Sequence, residues 1–261
     1  MGVVNVTPDS FSDGGRFLDH EAAVAHGLAL VSEGAHIVDV GGESTRPGAE
    51  PVAAAEEIRR VVPVVTALSA HVRVSIDTRH AAVAEAAIAA GATLLNDVSA
   101  SLAAVAAAHG VGFVAMHMLG DPRTMQREPR YPDVVADVRS YLLSRADAAV
   151  AAGVEEVWID PGIGFGKTAA HNWSLLRHLD VLVGSGFPVL VGTSRKRFLG
   201  EALAEADGEP PGAVVPTDDR MEGSIATAVW AIMQGARAVR VHDVRATVDA
   251  VTVTAGHRTG Q

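Results

Sequence analysis

Eight short runs of valine, isoleucine and leucine alternate along this chain with alanine-rich segments of helical period, and each run closes on polar residues. The runs are 3–6, 36–40, 73–76, 93–96, 112–116, 157–160, 188–191 and 238–241. The amphipathic segments are 21–33, 52–70, 80–90, 102–109, 133–152, 172–183, 223–234 and 246–255. No linker rich in Pro, Ser and Gly interrupts the alternation, so residues 1–261 are expected to form one domain. One strand and one helix roughly every 33 residues is the spacing of an α/β chain closed into a (β/α)8 TIM barrel, with its active site at the C-terminal ends of the strands. An open doubly wound sheet is the competing architecture, because alternation alone does not distinguish closure from an open edge.

The strand ends favour closure. In order they supply Asn5, Asp39 with Glu43, Asp77, Asn96 with Asp97, His117, Asp160, Ser194 with Lys196, and Arg240 with His242. In a barrel these converge on one mouth, whereas an open sheet spreads them along a line too long for one small ligand. Each residue alone has a plain explanation as a turn or helix cap; eight in succession weaken it. The long connections 7–19, 43–51 and 119–132 read as loops over the mouth, and the acidic, Gly- and Pro-containing stretch 201–219 reads as a surface excursion.

Composition removes several functions. The formal charge of -10 leaves no basic field for a polyanion, so no nucleic-acid partner is expected. The chain has no cysteine, which excludes disulfides, thiolate metal sites and cysteine nucleophiles and suits a reduced, cytoplasmic setting. The start carries no basic leader, and Val6 stands where a myristoylation signal needs Ser or Thr. Residues 98–120 carry no charged side chain, yet His109, Gly110 and His117 make them a small-residue helix and a buried strand, not a membrane span. Asn5-Val6-Thr7 matches a glycosylation acceptor by chance, since no secretory signal accompanies it.

Two segments carry chemistry. Residues 160–168 end in Gly-Lys-Thr, but Pro161 occupies the position where a P-loop needs its first glycine. Alternating glycines instead let the backbone approach a flat ligand, with Phe165 against its ring and Asp160 accepting two parallel N–H bonds from a guanine-like edge, beside Asn96 and Asp77. The second segment is cationic: Ser194-Arg195-Lys196-Arg197 after the seventh strand, and Arg240 and His242 on one side of the eighth, where barrels frequently hold phosphate. Asn5, across the closing seam, can offer an oxygen to Mg2+ held mainly by phosphate. One of Arg195 and Arg197 is expected to be a solvated residue at a helix start. Neither a His-Glu-x-x-His pair nor a Gly-x-Ser-x-Gly elbow is present, and Lys196 as a Schiff-base lysine remains a competing mechanism.

The residues also resemble a family. Gly2-Val3-Val4-Asn5-Val6-Thr7-Pro8-Asp9-Ser10-Phe11-Ser12-Asp13-Gly14-Gly15 and Asp39-Val40-Gly41-Gly42-Glu43-Ser44-Thr45-Arg46-Pro47-Gly48 are similar to the two signatures of dihydropteroate synthases. Ser75-Ile76-Asp77-Thr78, Asn96-Asp97-Val98, Met116-His117-Met118, Asp160-Pro161-Gly162, Ser194-Arg195-Lys196 and Arg240-Val241-His242-Asp243 follow in the family's order. The resemblance implies a TIM barrel that joins 6-hydroxymethyl-7,8-dihydropterin diphosphate to 4-aminobenzoate, releasing pyrophosphate, by a dissociative displacement with Mg2+. It implies that Asp77, Asn96, Asp160 and Lys196 hold the pterin, with Met116 and Phe165 lining its slot. Asn5, Thr45, Arg240 and His242 would bind diphosphate and Mg2+, with Asp13 a further candidate ligand. Loops through Phe11, Ser12, Asp13, Thr45, Arg46 and Pro47 would form the 4-aminobenzoate site with Ser194, where sulfonamides compete. Asp77, Asp160, Lys196, Arg240 and His242 are the catalytic candidates, and a cytoplasmic homodimer is the implied assembly.

Two departures stand out. The chain begins one residue before the first signature, without the family's usual N-terminal extension, and Ala100-Ser101 replace a common Gly-Gly pair. Three alternatives stay open: a pterin-dependent methyltransferase, which needs no diphosphate cations, a Schiff-base aldolase, and a non-catalytic pterin-binding paralogue. The intact set Asp77, Asn96, Asp160, Lys196 and Arg240 argues against the last.

Overall fold

The computed structural model describes residues 1–7, 16–44, 51–121 and 124–256. Eight parallel strands alternate with helices: β1 Gly2–Asn5, α1 Arg16–Ser32, β2 Ile37–Gly41, α2 Ala54–Leu68, β3 Arg73–Asp77, α3 Ala81–Ala89, β4 Leu94–Asp97, α4 Ala103–His109 and β5 Gly112–Met116. There follow α5 Val134–Ala151, β6 Val157–Asp160, α6 Ala169–Arg177, α7 Leu179–Val183, β7 Leu190–Val191, α8 Arg197–Ala206, α9 Met221–Met233, β8 Ala238–Val239 and α10 Val244–Gly256. Strands β1 to β6 form one sheet in sequence order and β7 pairs with β8. Two seams close the ring. The Ile159 N–H donates to the Pro188 carbonyl at 2.9 Å, joining β6 to β7, and Val3 N–H to Val241 O at 3.2 Å with Val241 N–H to Met1 O at 2.9 Å joins β8 to β1. The closed barrel is therefore the architecture, not the open sheet.

Period-2 alternation sorts the strand residues into two cores. One face of the strands meets the helices through a large cluster that includes Val38, Val40, Val74, Ile76, Phe113, Ile159 and Val191. Ile37, Leu94, Val114, Trp158 and Leu190 form a second cluster with Met1 and Ala238, which fills the barrel interior. Below that plug, Arg73 of β3 forms a bidentate pair with Glu156 at 2.9 and 2.6 Å. Glu156 also accepts the Trp158 indole N–H at 2.8 Å. Two residues further along the same interior faces stand Asp39, Asn96, Met116, Asp160 and Arg240. The apolar plug thus lifts the polar side chains to the mouth.

The loop after β4 shows how the chain manages without its expected glycine pair. Ala100 takes a left-handed conformation, φ +50°, that an alanine adopts only under constraint. The buried Asp97 carboxylate supplies that constraint by accepting Ser99 N–H at 2.8 Å, Ser101 N–H at 2.6 Å and Leu102 N–H at 2.8 Å, just before α4 begins.

Several expected boundaries move. The helix expected at 172–183 is two, α6 and α7, separated at His178, whose ψ of +34° breaks the turn. The stretch 201–219 is not wholly an excursion: α8 runs into it and buries Phe198, Leu199 and Ala204 on one face. Residues 98–120 do form the helix α4 and the buried strand β5. Among the described residues no helix is long and apolar enough to cross a membrane.

Candidate active site

At the mouth, Arg240 from the end of β8 reaches across the barrel. Its Nε donates to Asp39 Oδ2 at 2.6 Å and its Nη2 to Asp77 Oδ2 at 3.0 Å. Asn96 Nδ2 donates to the same Asp39 oxygen at 3.1 Å. One buried carboxylate therefore fixes both the guanidinium and the neighbouring amide. Burial opposes the charge on Arg240, but Asp39 and Asp77 outweigh it and hold the guanidinium above its usual value. Burial pushes the Asp77 carboxyl up to about 7, against the pull of Arg240 and with the help of the Asp39 charge.

A second pair lies at the ends of β6 and β7. Asp160 is buried and its Oδ1 accepts the Gly162 N–H at 2.7 Å. Burial raises its pKa while Lys196 lowers it. Burial in turn brings Lys196 down to about 8, with Asp160 pulling it back up. The Lys196 ammonium donates to the Ile163 carbonyl and sits 4.5 Å from the centroid of the Phe165 ring. Met116, buried at the end of β5, pairs in register with Asp160. A flat heterocycle thus has a carboxylate, an ammonium, an aromatic ring and a thioether gathered at one place.

Next to it, the buried Ser194 hydroxyl meets His242 Nδ1 at 2.9 Å and accepts the His242 backbone N–H at 3.2 Å, so the serine orients the imidazole. Arg195 is not the solvated arginine: it forms a bidentate pair with Asp243 at 3.2 and 2.6 Å, while Arg197 is exposed and pairs with Glu201. Asn5 ends β1, half-buried, against Gly41 of β2. Phe11, Asp13, Thr45, Arg46 and Pro47 lie outside the described residues.

Among the described residues one group could hold a metal ion, Glu43, Glu57 and His80, whose ligand atoms lie within 4.8 Å of one another. Its members already have partners: Arg79 grips Glu43 at 3.1 and 3.0 Å, and His80 Nδ1 lies 2.8 Å from the buried Glu57.

Residues 1–242 match the family model described as pterin binding enzyme. A dihydropteroate synthase of Mycobacterium leprae (strain TN) is 53% identical over 262 residues, covering 97% of this chain and 91% of the relative. The chain belongs to the dihydropteroate synthase family. Two solved members of that family superpose closely. The Xanthomonas albilineans dihydropteroate synthase with 4-aminobenzoic acid has a TM-score of 0.90 and 47% identity, covering 100% of this chain and 93% of that one. The Yersinia pestis dihydropteroate synthase in a sulfonamide drug complex has a TM-score of 0.90 and 43% identity, covering 100% and 94%.

Against that family background, two residues outside the expected pterin and diphosphate set turn out to organise the mouth. Asp39 was visible as a strand-end acid, but its hold on Arg240 and Asn96 depends on a reach across the barrel that spacing does not encode. Lys167 was visible only as the lysine of a failed P-loop, and no sequence signal marks the contacts it makes.

Proposed function

We propose that this chain, as one barrel domain over residues 1–261, is a cytoplasmic dihydropteroate synthase. It condenses 6-hydroxymethyl-7,8-dihydropterin diphosphate with 4-aminobenzoate to 7,8-dihydropteroate and pyrophosphate. The observation that carries the reading is the placement of a heterocycle-reading pair, Asp160 with Lys196, beside a cation built for an anion, Arg240, in one barrel mouth.

In this reading Asp160 accepts the amino and ring N–H groups of the pterin, Asp77 and Asn96 take its remaining edge, and Met116 and Phe165 flank the ring. Arg240, His242, Asn5 and Thr45 hold the diphosphate. Binding the diphosphate draws Arg240 toward a richer anion, and Asp77, once ionised, faces the positive charge that develops on the pterin methylene as the diphosphate departs. Ser194 keeps His242 turned toward the diphosphate. Ser194 with the loops through Phe11, Arg46 and Pro47 receives 4-aminobenzoate, whose amine attacks the cation. Mg2+ fits the donor set: Asp39 and Asp77 are engaged by Arg240, so the protein offers the neutral oxygen of Asn5, with Asp13 a second candidate ligand, and the phosphates supply the other oxygens. When bound, Mg2+ neutralises charge on the leaving diphosphate. The exposed Met221 and Trp230 of α9 and Val253 of α10 offer apolar surface for a homodimer through the helices.

The test is pyrophosphate release and dihydropteroate formation by the purified chain with Mg2+ and pterin diphosphate, with and without 4-aminobenzoate. Equimolar products that require 4-aminobenzoate, and inhibition by a sulfonamide competitive with it, are expected. Pterin diphosphate binding without product would instead mark a non-catalytic member.

The Asp77 carboxyl gives this reading a pH signature. Its ionised form is the one that accepts an N–H or faces a cation, so kcat/KM for the pterin diphosphate rises as pH increases toward about 7. Asp39→Asn removes a negative charge that raises Asp77 and frees Arg240 to favour it, so both effects move this acid limb to lower pH. Profiles of kcat/KM from about pH 5 to 9 for both proteins check the sign; an unmoved limb would assign it to another group.

A further inference from the structure

The five consecutive carbonyls of residues 162–166 all accept hydrogen bonds from side chains. Lys167 Nζ donates to Gly162 O at 3.0 Å and to Phe165 O at 3.0 Å. Lys196 takes Ile163 O, Gln126 Nε2 takes Gly164 O at 2.6 Å, and the Tyr131 hydroxyl takes Gly166 O at 2.8 Å. Buried carbonyls of irregular backbone have no ladder to join and must find partners in side chains, other backbone groups or water. Here four side chains hold them, and two of the four, Gln126 and Tyr131, come from the connection after β5.

Lys167 stands at the centre of this arrangement. It is 3% exposed. Besides the two loop carbonyls, its ammonium reaches the His117 carbonyl at 3.3 Å and His117 Nδ1 at 2.8 Å, so it ties the loop to the end of β5. His117 is in turn packed edge-on against Tyr141, ring centroids 4.9 Å apart. Burial brings the Lys167 amine down to about 7, with the Asp160 charge pulling it back up, but no carboxylate among the described residues bonds to it; carbonyl oxygens and one imidazole nitrogen hold it in place. The loop it ties carries Phe165 and presents the Ile163 carbonyl to Lys196, two of the groups assigned to the pterin.

We propose that Lys167 is a positioning residue for the pterin site: its ammonium clamps the 162–166 loop onto β5 and thereby sets where Phe165 and Lys196 stand. The inference rests on the pterin reading of the mouth given above. Tyr131 supports the same clamp from the far end of the loop, with one contact in place of four.

The experiment compares Lys167→Met and Tyr131→Phe with the parent chain. Folding is followed by circular dichroism, binding by fluorescence titration with 6-hydroxymethylpterin, and both substrates by steady-state kinetics. For Lys167→Met the pterin dissociation constant and the KM for pterin diphosphate rise about 10²-fold, while the KM for 4-aminobenzoate stays within about threefold. Tyr131→Phe moves the pterin terms the same way by about threefold to tenfold. Because the chain has no other cysteine, Lys167→Cys alkylated with 2-bromoethylamine restores an ammonium at that site and should recover most of the pterin affinity.

A residue that served stability alone would lower the folded fraction, change both substrates' rates together and leave the KM values in place. That outcome, or pterin affinity unchanged in folded Lys167→Met, overturns the proposal. If Lys167→Met fails to fold, Tyr131→Phe and the alkylated variant decide it by the same criterion. The pterin titration needs no turnover, so a parent chain that binds pterin but makes no dihydropteroate would sink the synthase reading and leave this one standing on its own result.

Discussion

Asp160→Asn is expected to lower kcat/KM for the pterin diphosphate by about 10³-fold while lowering the melting temperature by only a few degrees. The two halves of this expectation come from the same burial. In the free protein the Asp160 carboxyl is enclosed; burial raises its pKa, and Lys196, the Gly162 N–H, Lys167 and Arg240 pull against that rise. Asparagine keeps the shape and can keep the bond from the Gly162 N–H, but it leaves Lys196 without the carboxylate that pulls its pKa up, so the folded state loses a little. The pterin loses much more. A carboxylate offers two acceptor oxygens to the amino and ring N–H groups, whereas an amide turned to keep its oxygen on Gly162 presents an NH2 to those donors. A donor facing a donor in a buried site costs more than a missing bond, and about 4 kcal/mol is the scale of losing a charge-assisted pair and leaving its partners unsatisfied. Steady-state kinetics beside a thermal melt separate the two halves. A loss under about tenfold would mean that Asp160 does not read the heterocycle and that the pterin lies elsewhere in the mouth.

Local rules decide much of this fold. Period-2 runs give the strands, and their polar ends were legible as a mouth because side chains two apart share a face: Leu94 and Asn96, Val114 and Met116, and Trp158 and Asp160 each pair an interior plug residue with a site residue. Distant segments decide the rest. Helix α8 escaped because its buried Phe198, Leu199 and Ala204 are set among arginine, glycine and glutamates that read as a surface stretch. Nothing near Asp39 announces that its Oδ2 takes both Arg240, 201 positions away, and Asn96. Lys167 is the sharpest case: in sequence it looks like a phosphate-binding lysine, and in the fold its ammonium is spent on the carbonyls of its own loop and the end of β5. Barrel closure produces the Asp39–Arg240 contact, and closure is a property of all eight strands together; the Lys167 contacts follow from the pairing of β5 with β6.

Gly162→Ala is expected to destabilise the chain by more than about 4 kcal/mol, or to survive only with the loop displaced and pterin binding lost. Two terms act at this position. Its φ of +62° is the left-handed conformation, which costs an L-residue about 1–2 kcal/mol. A methyl group there would also overlap the backbone carbonyl oxygen of His117 outright, and that oxygen belongs to the β5 end and to the Lys167 clamp, so it cannot step aside as a flexible side chain would. Gly153 isolates the first term. It too is left-handed, φ +99°, in the turn between α5 and β6, but a methyl group there would have no heavy atom within 4 Å. Gly153→Ala should therefore cost only the conformational term, about 1–2 kcal/mol, and leave pterin affinity untouched. Urea unfolding of both variants, with pterin titration, gives the contrast directly. If the two glycines cost the same and Gly162→Ala still binds pterin, the loop is free of β5, and neither the clamp by Lys167 nor the fixed stance of Lys196 over Phe165 can hold. A large gap means the mouth works by close approach: the backbone of residues 160–166 lies against β5 closely enough that one methyl group decides whether the pterin slot exists.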